Sequence, residues 1–437
     1  MKIRGLLIAF LVLLILGGVL YWSDHHKVAE GSSKPADAPP QILKLDESSA
    51  AKLEIRRRDA EPIMLIRASS GNWQITGPRA LAADQSAVSS LISALSSLNA
   101  ERVVEDKGTD LKRYGLDHPI LSADLIDKSN ARYELQIGDD TPTSGASYAM
   151  LAGDPRIFTI PNYVKSSLDK SVNDLRDKRL VTLNPDKISR VELIRAGQVI
   201  EFGRDKDEWQ ILRPKPLRAD GAQVGDLIRK LTEAKMDTSG SDKDAASGFA
   251  HGAPIATAKL TGQSGTHELQ VRKNKDAYYA KSNAMEGEFK VDADLGQALG
   301  KNLNDFRNKK VFDFGYAEPD KVDLRIGEKT YALSRKGEDW WTEGKKMDAD
   351  SVQSLIAKLR DLSAGKFPDS GFSTPTIEAS ISLGEGKRTE KAGIAKSGSV
   401  YVARRENDSA LYQLDSAAVD ELLKAAGGLK PDAKAGK

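Results

Sequence analysis

The chain has 437 residues, 40% apolar and 29% charged, a globular composition that excludes wholesale disorder and a collagen-like chain. At about 150 residues per domain, the length predicts about three domains. Lys and Arg total 65 against 63 Asp and Glu, a formal +2 that is too balanced for a dedicated nucleic-acid binder. Cysteine is absent, which excludes disulfides, Cys-ligated zinc, iron–sulfur clusters and a thiol nucleophile.

Residues 5–22 (GLLIAFLVLLILGGVLYW) carry no charge and follow Lys2 and Arg4. As a helix the run is about 27 Å long, close to the roughly 30 Å hydrocarbon core of a bilayer. It ends in Tyr21 and Trp22, which suit the membrane interface. A cleaved signal would need small residues near its end, where Leu20, Tyr21 and Trp22 stand, and a lipoprotein signal would need a cysteine. The expectation is a single transmembrane anchor lying in the lipid bilayer. Residues 1–4 would be cytoplasmic and everything after Trp22 periplasmic or extracytoplasmic. Residues 23–40, rich in Pro, Ala and Ser, read as a stalk.

The body reads as one unit written three times. An amphipathic helix signature recurs as Val88, Leu91, Ile92, Leu95, Leu98, then Val224, Leu227, Ile228, Leu231, Ala234, then Val352, Leu355, Ile356, Leu359, Leu362. The spacing i, i+3, i+4, i+7, i+10 marks one helical face. Asp84, Asp220 and Asp348 each stand four residues before the first valine and are expected N-caps. Upstream, Trp73, Trp209 and Trp340 (followed by Trp341) sit in short extended segments, 136 and 131 residues apart. Alternating strands precede them: Leu53-Glu54-Ile55, Val191-Glu192-Leu193 and Val322-Asp323-Leu324. Each first half therefore predicts a three-stranded antiparallel meander and a helix, with the tryptophan in its core.

The second halves repeat less sharply. Turns at Tyr114-Gly115-Leu116-Asp117-His118-Pro119, Gly248-Phe249-Ala250-His251 and Gly371-Phe372-Ser373-Thr374-Pro375 precede strands at 121–126, 255–260 and 377–383. Tyrosine-bearing strands (Tyr148, Tyr278-Tyr279, Tyr401) and a closing helix follow. Two copies end in Asp174-Leu175-Arg176-Asp177-Lys178-Arg179-Leu180 and Asp305-Phe306-Arg307-Asn308-Lys309-Lys310-Val311; the third has no such charged motif. The fold class is α+β: a transmembrane helix, then three repeats of antiparallel sheet plus two helices, at 41–180, 181–311 and 312–426. Residues 427–437 are expected to form a disordered tail.

The span, the Tyr114–Pro119 turn, Gly138, the Tyr148 strand and the closing motif at 174–179 together resemble the bacterial membrane-anchored family known as domain of unknown function 4340. The resemblance is best over 43–180 and continues more weakly to 426. It implies a setting beside ABC-type exporters similar to gliding-motility transporters. It supplies no catalytic residue.

Chemistry is thin. His25 and His26 flank the span, His118 and His251 precede prolines at matching turns, and His267 is read as a solvent-face strand residue. None forms a metal-ligand spacing. Asp139-Asp140 reads as a polar turn, Asp242-Lys243-Asp244 lacks the rest of a calcium loop, and Gly-x-Ser-x-Gly does not occur. The expectation is a non-enzymatic protein with no cofactor or metal and no nucleic-acid partner. It would be a scaffold or accessory subunit of an envelope ABC-type export or motility system. The alternatives are a polysaccharide- or peptidoglycan-binding module and, further off, an envelope enzyme. Arg176, Lys178, Arg179, Arg307, Lys309 and Lys310 read as an ion-pair network joining repeats or as a contact surface for a membrane-protein partner or anionic envelope polymer.

Overall fold

The computed structural model describes residues 40–143 and 145–433. The expected span at 5–22 and nearly all of the stalk lie outside those residues. Among the described residues, no helix is long and apolar enough to cross a membrane. The chain divides into two units between Asp177 and Lys178.

In the first unit the predicted meander is β1 (Ala50–Arg57), β2 (Ile63–Arg67) and β3 (Trp73–Gly77), extended by a two-residue β4 (Leu81–Ala82). Helix α1 (Gln85–Ser96) follows, then β5 (Arg102–Glu105), β6 (Leu121–Asp127), β7 (Arg132–Asp140), β8 (Ala146–Leu151) and β9 (Ile157–Pro161). Two short helices, α2 (Asn162–Leu168) and α3 (Val172–Leu175), end the unit. One sheet forms in the order β4-β3-β2-β1-β6-β7-β8-β9-β5, so the two halves of the repeat join through the antiparallel β1–β6 pair. Period-two alternation decides its faces. Leu53 and Ile55 turn into a core with Trp73, Leu91, Ile92 and Phe158, whereas Glu54 and Arg56 turn outward.

The second unit holds two further sheets of the same plan. The first comprises β10 (Ile188–Arg195), β11 (Gln198–Asp205), β12 (Glu208–Arg213), β13 (Leu217–Arg218), β14 (Ala253–Gly262), β15 (Gly265–Asn274), β16 (Ala277–Ser282) and β17 (Glu288–Val291). Its helices are α4 (Gly221–Glu233), α5 (Asp242–Ala250) and α6 (Ala293–Gly300). The second sheet comprises β18 (Lys321–Ile326), β19 (Lys329–Lys336), β20 (Asp339–Thr342), β21 (Lys345–Lys346), β22 (Ala364–Lys366), β23 (Ile377–Leu383), β24 (Arg388–Ser397), β25 (Val400–Arg405) and β26 (Leu411–Leu414). Its helices are α7 (Ala349–Asp361) and α8 (Ser416–Gly427). Strand order repeats that of the first unit, except that the ninth strand of the middle copy is reduced to one bridge, Asp237 to Lys290. One continuous apolar cluster runs from Leu180 to Ala426 through both copies. Trp340 is in this core; Trp209 is half-buried at its margin.

All three predicted N-caps are present, and each does a second job. The Asp84 carboxylate accepts from the backbone N–H groups of Ser86 and Ala87, Asp220 from Ala222 and Gln223, and Asp348 from Ser351. The backbone N–H of the same aspartates donates to Leu175, Phe306 and Lys430, at 2.8, 2.8 and 3.0 Å. The start of each helix is thereby tied to the chain that leaves the copy. The return bonds match: Asp177 N–H to Ala82, Asn308 N–H to Arg218, Asp432 N–H to Lys346.

Three expectations need correction. Residues 427–432 are not a disordered tail: Gly427 ends α8, and Pro431 bridges Met347 as Arg176 bridges Ala83 and Arg307 bridges Ala219. The third copy therefore closes like the others without the charged motif, because the pairing uses backbone groups that any sequence supplies. Residues 434–437 lie outside the described residues. The repeat boundaries also shift. Leu180 N–H donates to Ala234 and Val311 N–H to Leu362, while Met236 and Ala364 donate back to Lys178 and Lys309, so 178–180 and 309–311 open a copy instead of ending one. Pro40 to Leu43 fills the equivalent place in the first copy, through Leu43 N–H to Leu98 and Ala100 N–H to Pro40. Finally, His267 does not face solvent. It pairs with Leu260 on the core side of its sheet, where burial pushes its imidazole below the usual histidine value.

Within the second unit, side chains reinforce the passage between copies. Arg218 donates to the Lys310 carbonyl and the Asp313 carboxylate, both at 2.8 Å, and to the Tyr412 hydroxyl at 3.2 Å. The Arg307 guanidinium lies 3.5 Å from the centre of the Phe367 ring. Tyr412 is buried and donates to Asp408 at 2.6 Å; burial, then that hydrogen bond, pushes its phenol from 10.0 up to about 12.

Two predictions follow from these contacts. Leu91→Asp places an unpaired charge in the first core, a cost of several kcal/mol, and should leave residues 40–177 open to limited proteolysis while residues 178–433 stay resistant. Native-like circular dichroism and protease resistance throughout would contradict it. Tyr412→Phe should lower the stability of the second unit by about 1–3 kcal/mol at pH 8, measured by urea unfolding. Because folding raises the phenol's pKa, its contribution is complete below pH 10 and fades towards about pH 12, so wild type and variant should converge across that window.

Candidate functional site

The outward face of each sheet is the surface that the repeat presents in all three copies. The first row to compare crosses four neighbouring strands. In the first copy it reads Met64, Glu54, Asp124, Glu134; in the second Glu201, Glu192, Lys259, Glu268; in the third Ala332, Asp323, Ser380, Lys391. Only the acid on the central strand (Glu54, Glu192, Asp323) recurs. It stands between the two apolar residues that anchor that strand in the core, so the fold fixes its position.

The rest of each row is neutralised differently. In the first copy, Arg56 pairs with Glu54 at 2.8 Å and reaches Glu134 at 3.7 Å, while Arg132 holds Asp124 at 2.9 Å and Glu134 at 3.2 Å. These carboxylates raise both guanidinium groups above the ordinary arginine value, through the Glu54 and Asp124 hydrogen bonds first. In the second copy, the Glu201 side chain is 3% exposed between Arg190 and Arg213, the latter at 2.9 Å. In the third, Lys321 pairs with Asp323 at 2.7 Å and Arg325 with Glu378 at 2.6 Å. Such a face can hydrogen-bond and select charge. Among the described residues, no group of three or more His, Asp or Glu is arranged to hold a metal ion.

The six basic residues of the closing motif are placed in two ways. Arg176 and Arg307 are only 6% and 9% exposed, so they are packed inside the protein and cannot form an outer contact surface. Burial holds Arg307 below the ordinary arginine value. Lys178 and Lys309 accept backbone hydrogen bonds from Met236 and Ala364; Arg179 and Lys310 form bridges with Lys235 and Ser363. Lys310 also donates to the Arg360 carbonyl at 3.2 Å. Of the six, Arg179 and Lys309 are exposed, and Lys178 and Lys310 are half-buried. The motif's acids cap helices: Asp174 accepts from Ser171 N–H at 2.8 Å and Asp305 from Asn302 N–H at 2.7 Å.

Each turn that opens the second half packs on the outward face. Tyr114 meets Tyr148 edge-on at 4.8 Å, and Gly138 lies so close to the Tyr114 carbonyl that any Cβ there would clash. Gly248 lies against the Tyr279 ring in the second copy, and Gly393 against Pro375 and Phe372 in the third. Asp140, read as a turn residue, ends β7 and binds Ser147 and Lys165, at 2.6 and 2.7 Å. His251 Nδ1 donates to the Ser247 carbonyl, 2.9 Å away, as an ordinary helix-end residue. The outward rows were not visible as sites in the sequence, because register alone brings their members together.

No curated protein and no solved structure matches the chain. A family model does, twice: over residues 73–216 and 209–378, each match starting at the tryptophan strand of a copy. Together the matches span about 70% of the chain, and the protein belongs to the family described as domain of unknown function (DUF4340).

Proposed function

We propose that the protein is a non-enzymatic, membrane-anchored extracytoplasmic scaffold, an accessory subunit of an envelope ABC-type export or motility system. The observation that carries this reading is the repeated fold with unrepeated faces. Three copies keep the same core, caps and closure, while three of the four positions in the outward row change charge class between copies. An enzyme needs one preorganised constellation; an array of like bodies with different faces suits contact with several surfaces of a larger assembly. The uncharged run at 5–22, followed by a Pro-, Ala- and Ser-rich stretch, supports a tether at a bilayer. Affinity isolation of the full chain after mild detergent extraction is expected to recover transporter subunits. Recovery of none under conditions that keep the bilayer complex intact would contradict the reading.

A second reading, a module that binds cell-envelope polysaccharide or peptidoglycan, is favoured by the groove on the third copy described next. It predicts that the purified protein sediments with isolated cell wall.

A further inference from the structure

The second outward row, one step along the strands from the first, distinguishes the copies. It contains Ser122, Gln136 and Met150 in the first copy, Thr257, Gln270 and Lys281 in the second, and Glu378, Gly393 and Arg404 in the third. Where two copies carry a glutamine side chain over the centre of the sheet, the third carries none. The space is a groove of about 470 Å³, walled by Phe372 and Pro375 and floored by β18, β23 and β24.

The cation beside that floor is also exceptional. In the second copy Lys281 is neutralised by Glu288, its neighbour across the β16–β17 pair, at 2.7 Å. In the third, Arg404 faces Leu411 across the β25–β26 pair, and it has no carboxylate partner among the described residues. Its guanidinium rests 4.4 Å from the centre of the Phe372 ring. A stacked guanidinium keeps its edge N–H donors available in a planar fork that matches a carboxylate. Asp323, Glu378, Ser380, Lys391 and Glu406 line the same groove, and its three acids are each paired, with Lys321, Arg325 and Lys391 respectively, which leaves Arg404 as the cation without a carboxylate among the described residues.

We propose that this groove binds a short stretch of acidic polysaccharide, with a sugar carboxylate on the Arg404 guanidinium and sugar hydroxyls on Asp323 and Ser380. The floor strands lie inside the sheet, so their backbone N–H and C=O groups are committed to ladders on both sides. Side chains alone are offered to a ligand. That suits a hydroxyl-rich chain better than a peptide, whose backbone groups need a free strand edge to pair with. The assignment rests on the polymer-binding reading and gives it a site and a charge.

The test is calorimetric titration of the purified full chain in detergent micelles with trigalacturonate. Maltotriose serves as the neutral sugar and a short polyglutamate as the acidic peptide. Wild type should bind trigalacturonate saturably and bind the other two at least tenfold more weakly. Arg404→Ala should weaken trigalacturonate binding by about tenfold or more at unchanged melting temperature, since a charge-assisted fork is lost. Lys281→Ala, the equivalent change in the second copy, should leave binding unaltered. Equal binding by wild type and Arg404→Ala, no binding by wild type, or tighter binding of polyglutamate would overturn the assignment. If wild type sediments with cell wall while any of these results holds, only the site is wrong. If it does not sediment either, the polymer-binding reading fails with it.

Discussion

Everything in this fold turns on three aspartates that each hold two things at once. The carboxylate of Asp84, Asp220 or Asp348 takes the free N–H groups at the start of a helix, and its own N–H takes the carbonyl of the segment leaving that copy. Helix ends otherwise leave four donors unsatisfied, and a buried segment must place its own backbone groups. One residue meets both requirements. It also fixes where the chain is when the next segment begins, so that a linear sequence can be laid down as closed units of one design.

From that constraint the division of labour follows. Core positions are held by the pairing of helix to sheet, so Leu, Ile and Val recur on the inward face of the central strands and of α1, α4 and α7. Outward positions carry no such demand beyond solubility, and there the copies diverge. Within the second unit divergence reaches the passage between copies as well. Arg218, Arg307, Phe367 and Tyr412 build a polar and aromatic contact around the closing segment, and the apolar cluster runs on through it. The basic motif that looked like an external patch is, at Arg176 and Arg307, part of the interior.

Much of this was legible in the sequence. The helices, their caps and the meander strands follow from periodicity and from an aspartate four residues before a valine. The tryptophan spacing gave the repeat, and both family matches start at those same residues. What escaped was carried by backbone or by register. Lys430 and Pro431 share no side-chain chemistry with Phe306 and Arg307, which stand in their places in the middle copy, yet the segment closes its copy through the same carbonyl and N–H groups. The ownership of 178–180 and 309–311 was hidden for the same reason. Glu201 gave no hint of burial, because its two arginines come from different strands. The groove at Arg404 depends on Gly393 taking the place in the sheet that Gln136 and Gln270 hold in the other copies, a correspondence set by register alone.

The most direct test of the central claim is amide hydrogen exchange at Asp84, Asp220 and Asp348, read residue by residue. These N–H groups stand at loop-to-helix junctions, where amides normally exchange through local fraying. If they hold the closing segments, they should exchange only with opening of the whole unit, as slowly as Leu53 or Leu193 in the central strands. Exchange at loop rates while those strands stay protected would show that the closures are incidental and that the account is wrong.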